Sequence, residues 1–423
     1  MMDILKMDGV KSLQKKLSID GELLIKQINE LGEIGADSEI GGRTRIALTD
    51  DEKKGRDLIV KWMNELVLNI EIDEIGNIFG TLPSINGNCH ENVLMMGSHI
   101  DTVQNAGALD GCYGVLAGLA VVRAYRQAEI LPSRPITVAA FTNEEGVRYQ
   151  PDMMGSLVYA GGMPLQAALN VIGTDGTRLG DELARIGYAG NLKIGTIVPQ
   201  EYIELHIEQG PILEKENIEI GAVENLQGIS WQQIIIKGKA NHAGTTPTQM
   251  RHDAGFAAAK VNTFLRELAL EMKTTLATVG SVNFHPNLIN VIPRMVEFTV
   301  DLRDPDESKL KNAENKLNSF LKSLEEQEGI QVEQKQLARF EPVHFNEKIV
   351  RLVESSAKKL GFSYRRMTSG AGHDAQMIAR IAPTAMIFVP SKGGVSHNPR
   401  EFTEPNQLAN GANVLLEVVQ NLI

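Results

Sequence analysis

Cysteine is scarce. Cys89 and Cys112 are the only two among 423 residues. Two thiols in so long a chain do not make a disulfide framework, so a reducing, cytoplasmic setting is expected. Long apolar runs are missing as well. The most apolar stretch, residues 115–122, falls far short of the roughly 20 residues that a membrane-spanning helix needs. The first residues alternate charged and apolar side chains with no unbroken apolar segment, so no signal peptide is expected. Positive charge is in deficit, with 42 Lys+Arg against 53 Asp+Glu and a formal net charge of −11. That balance argues against a nucleic-acid backbone or an anionic membrane as the main partner. Short-period repeats, low-complexity tracts and long Pro/Gly/Ser linkers are also lacking. What is present is ordinary for a soluble globular protein: 43% hydrophobic and 22% charged residues. At roughly 150 residues per domain, the length suits two or three domains.

The first third of the chain alternates helices and strands. Leu23, Ile25, Ile28 and Leu31 recur at helical spacing, as do Leu58, Val60, Trp62, Met63 and Leu66 after the cap-like Thr49-Asp50-Asp51-Glu52. Residues 92–96, ending at Gly97, and 136–141 read as buried strands, with a buried helix over 114–128 between them. This order implies an α/β fold: a mostly parallel sheet covered by helices. From 224 to 339 the texture changes. Strands are expected over 231–237 and 296–302, the second alternating apolar with polar residues. Two amphipathic helices accompany them, one starting at Asp253 with Phe256, Phe264, Leu265 and Leu268, the other carrying Leu310, Leu317, Leu321 and Leu324. After 340 the α/β texture returns, with a helix near 346–360, a strand over 385–389 and a last helix from Gln407. The reading is a catalytic domain split between 1–223 and 340–423, with an α+β domain inserted at 224–339.

Acids and histidines gather where strands end. Gly97-Ser98-His99-Ile100-Asp101 is followed by Asp110-Gly111; next come Asn143-Glu144-Glu145-Gly146, then Glu204-Leu205-His206, then Ser396-His397-Asn398. Each cluster alone is an ordinary loop. Four that converge on one edge of a sheet, where α/β proteins place ligands, point to a metal site. In an extended segment His99 and Asp101 face the same way, so the Asp101 carboxylate is expected to hold the second ring nitrogen of His99. The adjacent Glu144 and Glu145 cannot face the same way and invite two roles. Counting His99, Asp110, Glu145, His206 and His397 gives five ligands. A closed tetrahedral site takes four. Five, with Asp110 bridging, suit two divalent ions: His99, Asp110 and His206 on one, Asp110, Glu145 and His397 on the other. Glu144 is left over as a general base. Histidine and carboxylate ligands admit zinc, manganese, cobalt or nickel.

GSHIDTVQNAGALDG, FTNEEGVRY, ELHIEQGPILE, GKANHAGTTP, INVIP, DLRD, SGAGHDAQ and IFVPSKGGVSHNP closely resemble the di-metal amidohydrolases of N-carbamoyl-L-amino acids and allantoate. These are relatives of the aminoacylase and dipeptidase metallopeptidases. The resemblance runs from about residue 30 to the C-terminus. It implies the two-ion ligand set above and a substrate-binding set of Gln209, His242, Asn290, Arg303 and Gly372. It also implies a homodimer formed through the insert, which acts as lid and dimerisation domain and must hinge toward the metals. Chemistry agrees. Arg303 offers a planar fork for a carboxylate, His242 a donor to a tetrahedral oxyanion, and Gly370 and Gly372 close approach of backbone to ligand. Asp101, Glu144 and His242 form the expected catalytic group.

The expected reaction is hydrolysis of an N-carbamoyl-L-amino acid, a small ureido carboxylate, to the L-amino acid, ammonia and carbon dioxide. Allantoate amidohydrolase and β-ureidopropionase share its chemistry. An aminoacylase or peptidase fits the motifs less well. A non-catalytic metal-binding scaffold would have no need of Glu144.

Overall fold

A computed structural model of the chain describes residues 17–423. The N-terminal start on which the absence of a signal peptide rests lies, up to residue 16, outside the described residues. The described chain forms two units. The first runs up to Ala222 and includes Asn346–Arg366 and His373–Ile423; the second is Val223–Phe345 with Met367–Gly372. The sequence reading gives all of 340–423 to the first unit. Met367–Gly372 belongs instead with the second, because the Gly370 carbonyl accepts hydrogen bonds from Gln227 and Arg303, both at 3.0 Å.

The first unit is built on β1 (Asn69–Ile72), β2 (Ile78–Leu82), β3 (Val93–His99), β4 (Ile136–Phe141) and β5 (Pro199–Ile207), with a later strand, Thr384–Val389. The order is β1–β2–β4–β3–β5, then Thr384–Val389. From β4 to Thr384–Val389 all neighbours are parallel, and β1 and β2 add an antiparallel edge. Every residue of β3, β4 and Thr384–Val389 is buried. This is what near-continuous apolar runs require when helices cover both faces. The helix Cys112–Ala128 crosses from β3 to β4 and is buried along most of its length.

β3 does not end at Gly97, as its sequence suggests. Gly97 sits at φ +149°, and a Cβ there would lie 2.0 Å from the Ala139 carbonyl oxygen. Glycine lets the strand pass its neighbour and carry on to His99.

Helix Asp50–Glu65 is capped by the Thr49 side chain, which accepts from the Glu52 N–H. Its buried face holds Ile59, Trp62 and Met63, but also Glu52 and Arg56. The two charges pair with each other. Arg56 also donates to the Gly76 carbonyl at 2.6 Å and the Thr142 hydroxyl at 3.2 Å. Arg56→Met would strand Glu52 in the core, so urea denaturation should show a loss of about 3–5 kcal/mol. Glu52→Gln added to it should recover much of that loss. A single mutant as stable as the parent would mean that Glu52 reaches water.

In the second unit an antiparallel sheet runs in the order Gln331–Phe340, Gly228–Lys237, Met295–Asp304, Leu276–His285. Helices Ala254–Met272 and Glu307–Glu328 close one face over Ile234, Ile236, Val296, Phe298, Val300 and Leu302. Asp253 caps the first helix, accepting from Gly255 and Phe256 N–H. Phe256 is not part of that core: the buried stripe is Ala254, Ala257, Ala258, Val261, Leu265 and Leu268, and Phe256 faces outward. No described helix is long and apolar enough to cross a membrane.

Candidate metal centre

Because β3, β4, β5 and Thr384–Val389 are parallel, their C-terminal ends share one edge. His99 is the last residue of β3, Glu144 and Glu145 follow β4, His206 is near the end of β5, and His397 lies in the loop beyond Thr384–Val389. Asp110 joins them because glycine follows it. Gly111 sits at φ +64°, and a Cβ there would lie 2.3 Å from His99 Nε2. Only a residue without a side chain lets the backbone turn beside that ring.

Asp110 divides its two oxygens. Oδ1 lies 3.2 Å from His206 Nε2 and 3.8 Å from His99 Nε2. Oδ2 lies 3.1 Å from His397 Nε2, which is itself 3.5 Å from Glu145 Oε2. Two groups of ligand atoms thus lie together, His99–Asp110–His206 and Asp110–Glu145–His397, with Asp110 common to both. Both buried rings turn the same nitrogen inward. Nδ1 of His99 is held by the Asp101 backbone carbonyl at 3.0 Å, and Nδ1 of His206 by that of Ile207 at 2.9 Å. Each Nε2 is thereby turned toward Asp110, and that of His206 also accepts from the Gly111 N–H at 3.0 Å.

The Asp101 carboxylate departs from its expected place. Its Oδ1 is 3.6 Å from His99 Nδ1, beyond hydrogen-bond reach. The carboxylate accepts instead from the backbone N–H groups of Glu144 and Glu145, each at 3.2 Å. The two glutamates are separated by a turn rather than by the alternation of an extended strand: Asn143 has φ +54° and Gly146 φ +64°. The Asp101 clamp fixes that turn. Glu144 Oε2 lies 3.3 Å from His99 Nε2.

Electrostatics test whether these residues suit cations. Burial, then Glu145, pushes Glu144 well above the usual carboxylate range, and burial with Asp110 does the same to Glu145. Burial lifts Asp101 to about 6 against the pull of its two N–H donors. Burial drives His99 down to about 4; on His206 burial also lowers, but the bond to Asp110, the charges of Asp110 and Glu204 and the Ile207 carbonyl together overcome it and hold the ring at about 9. Glu145 Oε1 is buried without a hydrogen-bond partner. More acid is packed here than can stay charged without added positive charge, and all donors are nitrogen or oxygen. The donor set fits divalent ions.

Gln209 belongs to this site. It adopts φ +57°, and its side-chain amide donates to Asp110 Oδ2 at 2.8 Å and to the Ser396 hydroxyl at 3.2 Å. Its Oε1 is buried with no partner. The other substrate candidates belong to the second unit. His242 pairs with Val291 in a short ladder, and the Asn290 carbonyl accepts from Ala243 N–H at 3.0 Å. His242 Nδ1 accepts from the N–H groups of Gly244 at 3.0 Å and Thr245 at 3.2 Å. The proton is therefore on Nε2, which faces outward as a donor. Arg303 clasps Asp301 through Nε and Nη2 and donates to Gly370 through Nη1. Of its five N–H groups, one on each terminal nitrogen remains. Gly372 ends the segment Met367–Gly372 and is half-buried; Gly370 has no close neighbour for a Cβ, the nearest atom being Gln227 Nε2 at 3.6 Å.

Two residues of the first unit's site escape the ligand count. His373 is buried with its ring 4.5 Å from that of His206, and it forms a further ligand-capable group with Glu204 and His206. The signal was present in SGAGHDAQ, but no strand end marks it. Arg45 is buried in the core and donates to the Ile100 carbonyl at 2.8 Å and to Cys112 Sγ at 3.0 Å, tying together the segments that carry His99 and Asp110.

The chain resembles proteins already known. The family model of peptidase family M20/M25/M40 matches residues 95–421. The chain is 38% identical over 402 residues to an N-carbamoyl-L-amino-acid amidohydrolase of Rhizobium meliloti, covering 95% of this chain and 96% of that one. It is 33% identical to a ureidoglycolate hydrolase of Oryza sativa subsp. japonica, covering 94% and 84%. A solved amidase of the hydantoinase/carbamoylase family from Burkholderia multivorans superposes with a TM-score of 0.93 at 40% identity, over 96% and 98% of the two chains. By matched family, full-length relatives and a ligand cluster of the right chemistry, the chain belongs to peptidase family M20/M25/M40, among the carbamoylase-type amidohydrolases, and is a metal-dependent hydrolase of carbon–nitrogen bonds.

Proposed function

We propose that the chain hydrolyses the ureido amide bond of N-carbamoyl-L-amino acids with two divalent ions held by His99, Asp110, Glu145, His206 and His397. The observation that carries this reading is the division of the Asp110 oxygens between two histidine groups, with Glu144 alongside. Divalent ions bound there supply Lewis acidity toward a carbonyl and acidify water. The protein's own residues supply the rest. Glu144 takes a proton from the attacking water and returns it to the leaving nitrogen. His242 Nε2–H donates to the carbonyl oxygen as negative charge develops. Arg303 receives the carboxylate on its two remaining N–H groups, and Gln209, Asn290 and Gly372 orient the ureido group. Asp101 holds the Glu144–Glu145 turn. Cleavage releases the L-amino acid and carbamate, which breaks down to ammonia and carbon dioxide.

A homodimer through the second unit is part of the proposal. Leu276–His285 is an edge strand with Leu276, Val282 and Phe284 exposed, and such an edge calls for a partner.

The test is ammonia release from N-carbamoyl-L-amino acids, N-carbamoyl-β-alanine, allantoate and ureidoglycolate, with and without chelator and with metal restored. Preference for either of the last two would move the assignment to allantoate or ureidoglycolate, the latter being what the Oryza relative's name specifies.

The ligand set has its own check. His206→Ala and His397→Ala should each lower metal stoichiometry and turnover together. Two ions per chain in both variants would show that the set is wrong.

A further inference from the structure

Four residues beyond His397, Glu401 is buried, and its carboxylate reaches a segment almost three hundred residues earlier. Oε1 accepts from the backbone N–H groups of Leu109 at 2.9 Å and Asp110 at 3.2 Å. Oε2 accepts from the Ser396 hydroxyl at 2.9 Å, and that hydroxyl is also 3.3 Å from Asp110 Oδ2. The fit is close on the far side as well. A Cβ on Gly107 would lie 2.2 Å from Glu401 Oε1, so the carboxylate occupies space that any side chain at 107 would take. Glu401 belongs to none of the ligand-capable groups among the described residues.

The consequence follows from what Asp110 must do. It lies in a loop, with no strand ladder to fix its orientation, yet it must aim one oxygen at His99 and His206 and the other at His397. One carboxylate anchors the Asp110 peptide, touches through Ser396 the oxygen that faces His397, and belongs to the loop that carries His397. We infer that Glu401 is a positioning residue that sets Asp110 and His397 in register and thereby determines how tightly the ion of the Asp110–Glu145–His397 group is bound. The inference rests on the two-ion reading above.

Glu401→Ala removes the anchor. Glu401→Gln keeps Oε1, and with it both backbone hydrogen bonds, while its amide takes the place of Oε2 beside Ser396. Full-length protein stripped with chelator is titrated with Co2+ by calorimetry and visible absorption, with thermal melts of the metal-free proteins in parallel. Glu401→Ala is expected to weaken the second ion by roughly 10–100-fold, the range for losing a residue that orients a ligand, and the first by less than about threefold. Glu401→Gln should stay within about threefold of the parent for both. Gly107→Ala, which leaves every polar group in place but crowds the carboxylate, should reproduce the selective loss; it serves as the test if Glu401→Ala does not fold. Unchanged binding in Glu401→Ala, equal weakening of both ions, or a Gln variant as damaged as the Ala variant would overturn the assignment. A parent protein that takes up fewer than two ions would overturn it together with the two-ion reading. Ammonia release by the reloaded parent reports separately on the substrate.

Discussion

Glu144→Gln is expected to lower kcat by roughly 10²–10⁴ with the metal content unchanged. The substitution keeps the size of the side chain and a hydrogen-bonding end but removes its ability to take up a proton. The position is fixed from both sides. The Glu144 N–H is held by Asp101 Oδ1 at 3.2 Å, and its Oε2 lies 3.3 Å from His99 Nε2. A glutamine can keep that backbone bond and leave His99, Asp110, Glu145, His206 and His397 where they are. Burial and the neighbouring Glu145 push the Glu144 pKa up in the metal-free site. Turnover measured beside metal analysis on one sample separates loss of base from loss of metal. Near-normal kcat would assign the proton transfer to another group.

Arg303 should show the opposite pattern, an effect on substrate anchoring. Arg303→Ala removes the N–H pair proposed to grip a carboxylate that does not react. Truncating a charge-assisted pair in a closed site costs on the order of 2–5 kcal/mol. At about tenfold per 1.4 kcal/mol this is roughly 30-fold to several-thousand-fold in kcat/KM. Arg303→Lys keeps the charge but cannot clasp Asp301 through Nε and Nη2 while also donating to Gly370, so it should recover little. Metal content should stay unchanged, since no proposed ligand belongs to the second unit. Ureido compounds without a carboxylate should be poor substrates for parent and variant alike. Normal hydrolysis of N-carbamoyl amino acids by Arg303→Ala would place the carboxylate elsewhere and leave the second unit with dimerisation alone.

Residue order alone carries the α/β class and the position of each candidate ligand along the chain. Continuous apolar runs such as Ile136–Phe141 have one stable use, a strand covered on both faces, and parallel strands bring their C-terminal residues to one edge. His99, Glu145 and His206 were legible for that reason. Alternation over Met295–Asp304 likewise declared a sheet with one buried face. Edge strands escaped this reading. Leu276–His285 is mostly exposed, so no continuous buried stripe marks it. Helical spacing also overstated Phe256, because an apolar residue one position off the buried stripe looks the same in sequence.

How these residues are held is a matter of packing. That Asp101 offers His99 its backbone carbonyl and reserves its carboxylate for the Glu144–Glu145 turn depends on loop dihedrals, which residue spacing does not encode. The burial of Glu52 with Arg56, the exposed Nε2–H of His242, and the reach of Glu401 to the Asp110 peptide are partnerships between groups chosen by packing. A buried charge or polar group must find its complement in three dimensions, and a single sequence records both partners without recording that they meet.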